Sequence, residues 1–169
     1  MTRGPSGAIV FTDIVGFTQL TDLEGDDLAV ELLEHQDQVV REALPPSGRV
    51  VKELGDGLLL WFDDAASAIL TCLALQRRFE EDSAQGVPLW VRIGVHWGCP
   101  VHRGDDIIGR DVNLASRIAD LAGSGEVLCS ESTARAAGPL DGVRYEPLGP
   151  VYVRGITEPV PLLRALSSA

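Results

Sequence analysis

Apolar runs and glycine breaks alternate along the chain in a pattern that predicts strands and helices in turn. The run at 7–14 is apolar and β-branched, which predicts a buried strand. Gly16 ends this run, and a helical pattern follows that should continue until Pro45 and Pro46 stop it. The segment 49–62 then predicts two strands joined at Gly55-Asp56-Gly57, because Asp-Gly is a strong hairpin signal.

The remaining pattern completes an α+β arrangement. The further predicted elements are a helix at 64–81, a strand at 89–98, a helix at 111–122 with an apolar stripe of Leu114, Ile118 and Leu121, a short strand at 126–130, a short helix at 130–137 and a tail of two or three strands around 145, 151–153 and 160–163. This order predicts an α+β fold in which a mostly antiparallel sheet is covered by helices on one face and ends in a β-rich C-terminal tail.

Composition and charge narrow the possible classes of protein. The 169 residues are 45% hydrophobic, which suits one globular domain over 1–169. A formal net charge of -11 argues against a nucleic-acid partner, because the phosphate backbone attracts the opposite sign. No apolar run is long enough to cross a bilayer, the first residues do not resemble a signal peptide, and the three scattered cysteines predict reduced thiols. We therefore expect no membrane association and a cytoplasmic location.

Two aspartates at predicted strand ends are candidate metal ligands. Asp13 could instead cap the following helix, and Asp56 could serve only the hairpin turn. For each aspartate considered alone, the structural explanation is better than a role in metal binding. Together, two carboxylates side by side would repel each other unless divalent cations held them, and such a pair is the usual device for displacement at phosphorus.

Polar residues near these aspartates could bind a nucleotide. Lys52 lies on the strand that precedes Asp56, and Asn113 and Arg117 are four residues apart on one helix, so that they project from the same side. Each could equally be a solvated surface residue. The chain contains no GxxxxGK[ST] phosphate loop and no triad-like grouping of Ser, Cys and His, so any phosphate chemistry must take its nucleophile from the substrate.

Four segments resemble the signature segments of class III nucleotidyl cyclase domains, in order and spacing. These segments are VFTDIVGFT at 10–18, VKELGDG at 51–57, RIGVHWG at 92–98 and DIIGRDVNLASRIADLA at 106–122. The tail LGPVYVRGITEPVPL is similar to the closing strands of the family, so the resemblance covers about 8–163. It implies a ferredoxin-like core and a head-to-tail homodimer with shared active sites at its interface.

The resemblance also implies a role for each matching residue. Asp13, Asp56 and the Ile14 carbonyl would hold two divalent ions per site, Mg²⁺ or Mn²⁺, and Gly16, Phe17 and Thr18 would offer backbone N–H groups to phosphate. Lys52 and Asp106 would select adenine, Asn113 would orient the ribose, and Arg117 would stabilise the transition state. Arg92 and Arg154 would contact the phosphates.

The activity implied is adenylate cyclisation, the conversion of ATP into 3′,5′-cyclic AMP and pyrophosphate. Guanylate-specific members tend to have Glu and Cys where this chain has Lys52 and Asp106, which speaks against GTP as the substrate. A non-catalytic dimerisation or nucleotide-sensing module is the more distant alternative. The stretch from His96 to Asp106 is shorter than the dimer-gripping arm of many members, so the homodimer is expected to be weak.

Overall fold

The computed structural model describes residues 4–168, and within them nine strands and five helices. In chain order they are β1 (Gly7–Ile14), α1 (Phe17–Glu24), α2 (Asp26–Ala43), β2 (Gly48–Leu54), β3 (Gly57–Phe62), α3 (Ala65–Ala84), β4 (Val91–Gly98), β5 (Val101–Arg103), β6 (Asp106–Ile108), α4 (Arg110–Leu121), β7 (Val127–Ser130), α5 (Glu131–Ala137), β8 (Val143–Val151) and β9 (Val160–Ser167). This is the predicted α+β class.

Seven of the strands form one sheet in the order β2-β3-β1-β4-β7-β9-β8. Every neighbouring pair is antiparallel except β4 and β7, so the predicted mostly antiparallel sheet is confirmed. Strand β1 lies between β3 and β4, and its side chains alternate between two buried faces. Ala8, Val10 and Ile14 enter the main core, whereas Ile9 and Phe11 pack on the opposite face.

Helices cover both faces of the sheet, so the expectation of a single covered face is wrong. Buried residues of α2 and α3 form the main core on one face, including Leu32, Val40 and Phe79. Helix α4 packs on the other face, where Ala115 joins one apolar cluster and Ile118 another. The strands that lie under both layers are almost fully apolar for this reason, and β3 is buried at all six positions.

Several predicted boundaries move for identifiable reasons. The single helix expected after Gly16 is two helices, because Gly25 adopts a positive φ of 94° that ends α1 and precedes α2. Leu121 does not belong to the apolar stripe of α4, since it is 47% exposed near the helix end. The tail contains two strands, and Val153 lies outside them as a buried loop residue.

The segment between β4 and α4 forms a short hairpin that the sequence pattern did not predict. Strands β5 and β6 pair around a turn in which Gly104 has a φ of 61°. The hairpin packs on its own subunit, because Ile107 is buried in the α4-side cluster and the ring of His102 lies 4.8 Å from that of Trp61. The short arm expected from the sequence is therefore an ordered hairpin.

Two further expectations concern features of the chain as a whole. In the part that the structure describes, no helix combines the length and the apolar character that a bilayer crossing needs. Each of the three cysteines is a free thiol, as predicted, and Cys72 and Cys129 are buried. The location of the protein in the cell stays a prediction.

Helix α4 approaches β4 so closely that only glycine fits at one position, which predicts a large cost for adding a methyl group. A Cβ at Gly94 would lie 2.3 Å from the backbone nitrogen of Ala119, so Gly94→Ala must move the helix. We expect a loss of about 2–3 kcal/mol in the free energy of unfolding, measured by urea denaturation. Gly123→Ala is the matched control, because its Cβ would meet only the side chain of Glu126, whose flexible carboxylate end can shift. Equal losses in both variants would contradict this account.

Candidate active site

The two candidate metal ligands meet at the edge of the sheet where β1, β3 and β4 end. The ladder places Asp13 opposite Gly57 on one side and opposite Arg92 on the other. Asp56 precedes Gly57 in the turn, which brings its carboxyl group close enough to that of Asp13 for each to affect the other's charge. A Cβ at Gly57 would lie 2.1 Å from the carbonyl oxygen of Thr12, so glycine is required for this close approach.

Arg92 neutralises part of the charge of this pair. Its Nη2 and Nε atoms donate to the same Asp13 oxygen at 2.5 and 2.8 Å. Burial and the neighbouring Asp13 carboxylate raise the pKa of Asp56 to about 6. Asp13 is thus bound to Arg92, and among the described residues no side chain caps α1, so the capping explanation for Asp13 is wrong.

This donor set fits a hard divalent cation. Burial and the neighbouring Asp13 carboxylate both disfavour the ionised form of Asp56, which a cation would offset, and oxygen ligands are those that Mg²⁺ and Mn²⁺ prefer. Ile14, the third predicted ligand, is the last residue of β1 and follows Asp13 directly. Within residues 4–168, no cluster of three or more His, Cys, Asp or Glu side chains is placed to hold a metal, so further ligands would have to come from backbone, water or substrate.

The start of α1 lies directly beyond this edge. Gly16 adopts a left-handed conformation with a φ of 68°, which turns the chain from β1 into the helix. None of the described side chains caps this helix, so the backbone N–H groups of its first turn remain able to bind another acceptor. The predicted phosphate-binding residues Gly16, Phe17 and Thr18 follow Asp13 by three to five residues in the chain.

Lys52 and Asp106 form an ion pair, as their predicted partnership requires. The Lys52 Nζ atom lies 3.0 Å from each oxygen of the Asp106 carboxylate. The hydrogen bond from Lys52 lowers the pKa of Asp106, whose Oδ1 also accepts the N–H of Ile107 at 2.8 Å. The β5–β6 hairpin brings Asp106 to this place beside β2, so residues 54 positions apart present one donor and one acceptor group together.

Asn113, Arg117 and Arg154 line one cleft of about 660 Å³ between α4 and the loop that joins β8 to β9. Arg117 lies 3.7 Å from Asp120 on its own helix, which leaves its guanidinium partly neutralised. Sequence reasoning missed Arg110, which also lines this cleft. Its spacing of three from Asn113 and seven from Arg117 places all three on one helical face, so the pattern contained the signal.

The carboxylate pair and the arginine cleft are separate in one chain. Asp13 lines a smaller cavity of about 170 Å³, and neither Asp13 nor Asp56 is among the described residues that line the arginine cleft. Ser116 of α4 lines both cavities, which makes them neighbours. The predicted site residues are therefore brought into three groups: the carboxylates with Arg92, the Lys52–Asp106 pair, and the cleft.

The start of α4 is fixed to β4 by a buried polar network. Asp111 accepts the N–H of Cys99 at 2.8 Å and contacts Nε2 of His96 at 3.2 Å. Burial lowers the pKa of His96, which favours a neutral ring, and its Nδ1 lies 2.7 Å from Ser130 Oγ. A Cβ at Gly98 would lie 2.5 Å from Asp111, so the glycine admits the carboxylate and fixes the helix that presents Asn113.

Sequence comparison places this chain among known proteins. The family model for the adenylate and guanylate cyclase catalytic domain matches residues 2–162. A pH-sensitive adenylate cyclase of Mycobacterium tuberculosis is 32% identical over 95% of this chain, and an adenylate cyclase of Streptomyces griseus is 35% identical over 74%. These matches span only 41% and 31% of the length of those two relatives.

Solved structures share the same architecture. The adenylyl cyclase CyaB from P. aeruginosa superposes with a TM-score of 0.83 at 25% identity, with 100% of this chain and 98% of that chain covered. A Trypanosoma brucei adenylate cyclase, solved in its monomeric state, gives a TM-score of 0.84 over 95% of this chain and 89% of its own, and at 21% identity it supports the fold alone. The predicted ferredoxin-like cyclase fold is therefore confirmed, and the chain belongs to the family of adenylate and guanylate cyclase catalytic domains.

Proposed function

We propose that this domain is an adenylate cyclase that converts ATP into 3′,5′-cyclic AMP and pyrophosphate with two divalent ions. The observation that carries the choice of ATP is the Lys52–Asp106 pair at 3.0 Å. An adenine edge offers an N6 donor that suits Asp106 and a ring acceptor that suits Lys52, whereas guanine presents O6, an acceptor. The relatives in Mycobacterium tuberculosis and Streptomyces griseus, both named adenylate cyclases, support the same substrate.

Asp13, Asp56 and the Ile14 carbonyl would hold the ions. Mg²⁺ or Mn²⁺ bound there would lower the pKa of the ATP 3′-hydroxyl and offset the charge of the triphosphate. Arg92, which pairs with Asp13, would contact a phosphate once bound cations take over the neutralisation of that carboxylate. The uncapped first turn at Gly16, Phe17 and Thr18 would bind a second phosphate group through backbone N–H groups.

The residues of the arginine cleft would bind the ribose and stabilise the charge that develops on the phosphates. Asn113 would hold the ribose so that the 3′-oxygen lies in line with the α-phosphorus, and Arg117 would stabilise the charge that develops in the transition state. Arg154, in the same cleft, would bind the departing pyrophosphate. No side chain of this scheme acts as a nucleophile, because the attacking oxygen belongs to ATP.

A head-to-tail homodimer would complete each site. In one chain the carboxylates and the arginine cleft line separate cavities, which supports a site made from the carboxylates of one subunit and the cleft of the other. The β5–β6 hairpin packs on its own subunit, which supports a small interface and a weak dimer. We place this dimer in the cytoplasm without a nucleic-acid or membrane partner.

The direct test is incubation of the pure protein with Mn²⁺ and either ATP or GTP, followed by chromatographic separation of the products. The proposal requires cyclic AMP and pyrophosphate from ATP, in amounts well above any cyclic GMP from GTP. Cyclic GMP as the main product would reverse the assignment of the base, and absence of both products under dimer-forming concentrations would favour the non-catalytic module.

Base selectivity should depend on the ion pair. We expect the double variant Lys52→Glu with Asp106→Cys to lower cyclic AMP formation at least about tenfold, because a mispaired buried polar contact costs about 1–3 kcal/mol. Cyclic GMP formation should fall less or rise, since Glu can accept from the guanine amino group. Steady-state rates with ATP and GTP measure both effects. An unchanged rate with ATP would exclude these two residues from base recognition.

The raised pKa of Asp56 predicts how the metal-free protein responds to pH. The folded state binds this proton more tightly than the unfolded state, so the stabilisation is complete below about pH 4 and is lost as pH rises through about 6. In EDTA, Asp56→Asn should remove this loss and be more stable than the wild type at pH 7.5 by about 1–2 kcal/mol, less than the full pKa shift gives because solvent screens this partly exposed group. Its cyclase activity should be abolished.

Thermal melts of both proteins from pH 4 to 8 measure the difference. Asp141→Asn, which removes an exposed carboxylate from the turn before β8, is the control and should follow the wild type. If Asp56→Asn instead lowered the melting temperature at pH 7.5 without metal, Asp56 would serve the hairpin turn and not a metal pair.

Complementation between inactive variants tests the shared site. Asp56→Ala and Arg117→Ala should each be inactive alone, because each removes one half of every site. Mixed in equal amounts with free exchange, about half of the dimers are mixed, and each mixed dimer has one intact site of two. About a quarter of the wild-type activity should therefore return, measured as cyclic AMP formed per mole of protein.

Lys52→Ala mixed with Arg117→Ala is the matched control. In the proposed dimer the base-selecting Lys52 comes from the same subunit as Arg117 of the cleft. Every composite site of this mixture therefore keeps one lesion, and no activity should return. Recovery in this control, or no recovery in the first mixture when mass spectrometry shows subunit exchange, would refute the division into halves.

A further inference from the structure

Gln36 is a polar side chain in a position that should be apolar. It lies on the core-facing side of α2 with Leu32 and Val40 one turn away on either side, and it is only 1% exposed. Burying an amide is unfavourable unless its hydrogen bonds are made. The contacts that it makes lie at the carboxylate pair.

The amide joins the two strand ends that carry the carboxylates. Its Nε2 donates to the backbone carbonyl of Asp56 at 3.1 Å, and its Oε1 accepts from the Thr12 hydroxyl at 2.9 Å. Thr12 Oγ1 in turn accepts the N–H of Leu58 at 3.2 Å. One side chain is thus tied to Asp56 itself and to the residue that precedes Asp13.

The directions of these bonds are fixed by chemistry. A backbone carbonyl can only accept, so the Gln36 amide must turn its nitrogen to Asp56 and its oxygen to Thr12. The Thr12 hydrogen is then committed to Gln36, and its lone pair is left for Leu58. Because each hydrogen bond in this series can run in only one direction, the network holds its residues in one arrangement.

The position of Gln36 separates this role from direct contact with the reaction. Thr12 and Asp13 point to opposite faces of the sheet because they are adjacent in β1. Gln36 therefore supports the carboxylate pair from the α2 side, while Asp13 faces α4 and lines a cavity with Ser116 and Asp120. It cannot bind a cation held by Asp13 from there, and it acts through the backbone.

We propose that Gln36 is a positioning residue that sets the spacing of Asp13 and Asp56 and so raises the affinity of the site for divalent cations. The inference rests on the proposed metal-binding function of these two aspartates. Removal of a group that orients metal ligands without touching the metal typically lowers metal affinity by about 10–100-fold.

Gln76 provides a matched control in the same chain. It is also a buried glutamine on a core helix, α3, and its Nε2 donates to the carbonyls of Val91 and Glu126 at 2.8 and 2.9 Å. Gln36→Met and Gln76→Met both remove a buried amide at nearly constant volume and leave backbone carbonyls without their donor. Both should lower the melting temperature in EDTA by a similar amount.

Only Gln36→Met should change metal binding. We expect the dissociation constant for Mn²⁺ alone, measured by titration of the free-ion electron paramagnetic resonance signal, to rise about 10–100-fold. Half-saturating Mn²⁺ in the cyclase assay should rise in parallel, and saturating Mn²⁺ should restore most of the turnover. Gln76→Met should stay within about twofold of the wild type. Thr12→Val should shift the affinity in the same direction as Gln36→Met, and Thr12→Ser, which keeps the hydroxyl, should not.

Asp13→Asn separates failure of the inference from failure of the metal assignment. If Asp13→Asn abolishes Mn²⁺ binding while Gln36→Met binds it within twofold of the wild type, Gln36 is only a structural residue and the inference is wrong. If Asp13→Asn binds Mn²⁺ as tightly as the wild type, the aspartates are not the metal site, and the inference falls with that assignment.

Discussion

The contact between two carboxylates at one edge of the sheet is the constraint around which the surrounding structure is arranged. It exists because β1 pairs with β3 and β4 in a register that sets Asp13 between Gly57 and Arg92. Burial and the neighbouring Asp13 carboxylate raise the pKa of Asp56 to about 6, and two hydrogen bonds from Arg92 to Asp13 offset part of the negative charge. Three neighbouring features make the contact possible: the missing side chain at Gly57, the turn at Gly55 and Asp56, and the amide of Gln36 behind them. A cation bound between the two carboxylates would offset their mutual repulsion.

The proposed role of Asn113 and Arg117 depends on the position of α4. This helix crosses the opposite face of the sheet at a distance set by Gly94, and Asp111 fixes its first turn to β4 through Cys99 and His96. Its outer face then presents Asn113 and Arg117 to the loop that carries Arg154. The two halves lie in adjacent cavities of one chain that do not merge. Such a division is expected of a domain that completes its site with a second copy of itself.

The arm between β4 and α4 connects base recognition to assembly. As a short hairpin it brings Asp106 to Lys52, so the proposed selectivity for adenine depends on a segment whose fold the local pattern did not reveal. The hairpin is held by Ile107 and by the ring of His102 against Trp61 of its own subunit. It therefore holds Asp106 beside Lys52 through contacts made within one chain.

The sequence by itself determined most of the elements and the family of the chain. Apolar periodicity located β1, β3, α3 and α4, and the four motifs indicated the cyclase family and the candidate site residues, since such signals depend on residues close together in the chain. It could not determine that α4 covers the second face, that Arg92 binds Asp13, or that Gln36 contacts Thr12 and Asp56. The last two are contacts between residues 20 to 79 positions apart, and no local spacing encodes them. Only the strand register and the packing of helices on the sheet decide which distant side chains meet, because burial and hydrogen-bond satisfaction act on the assembled chain.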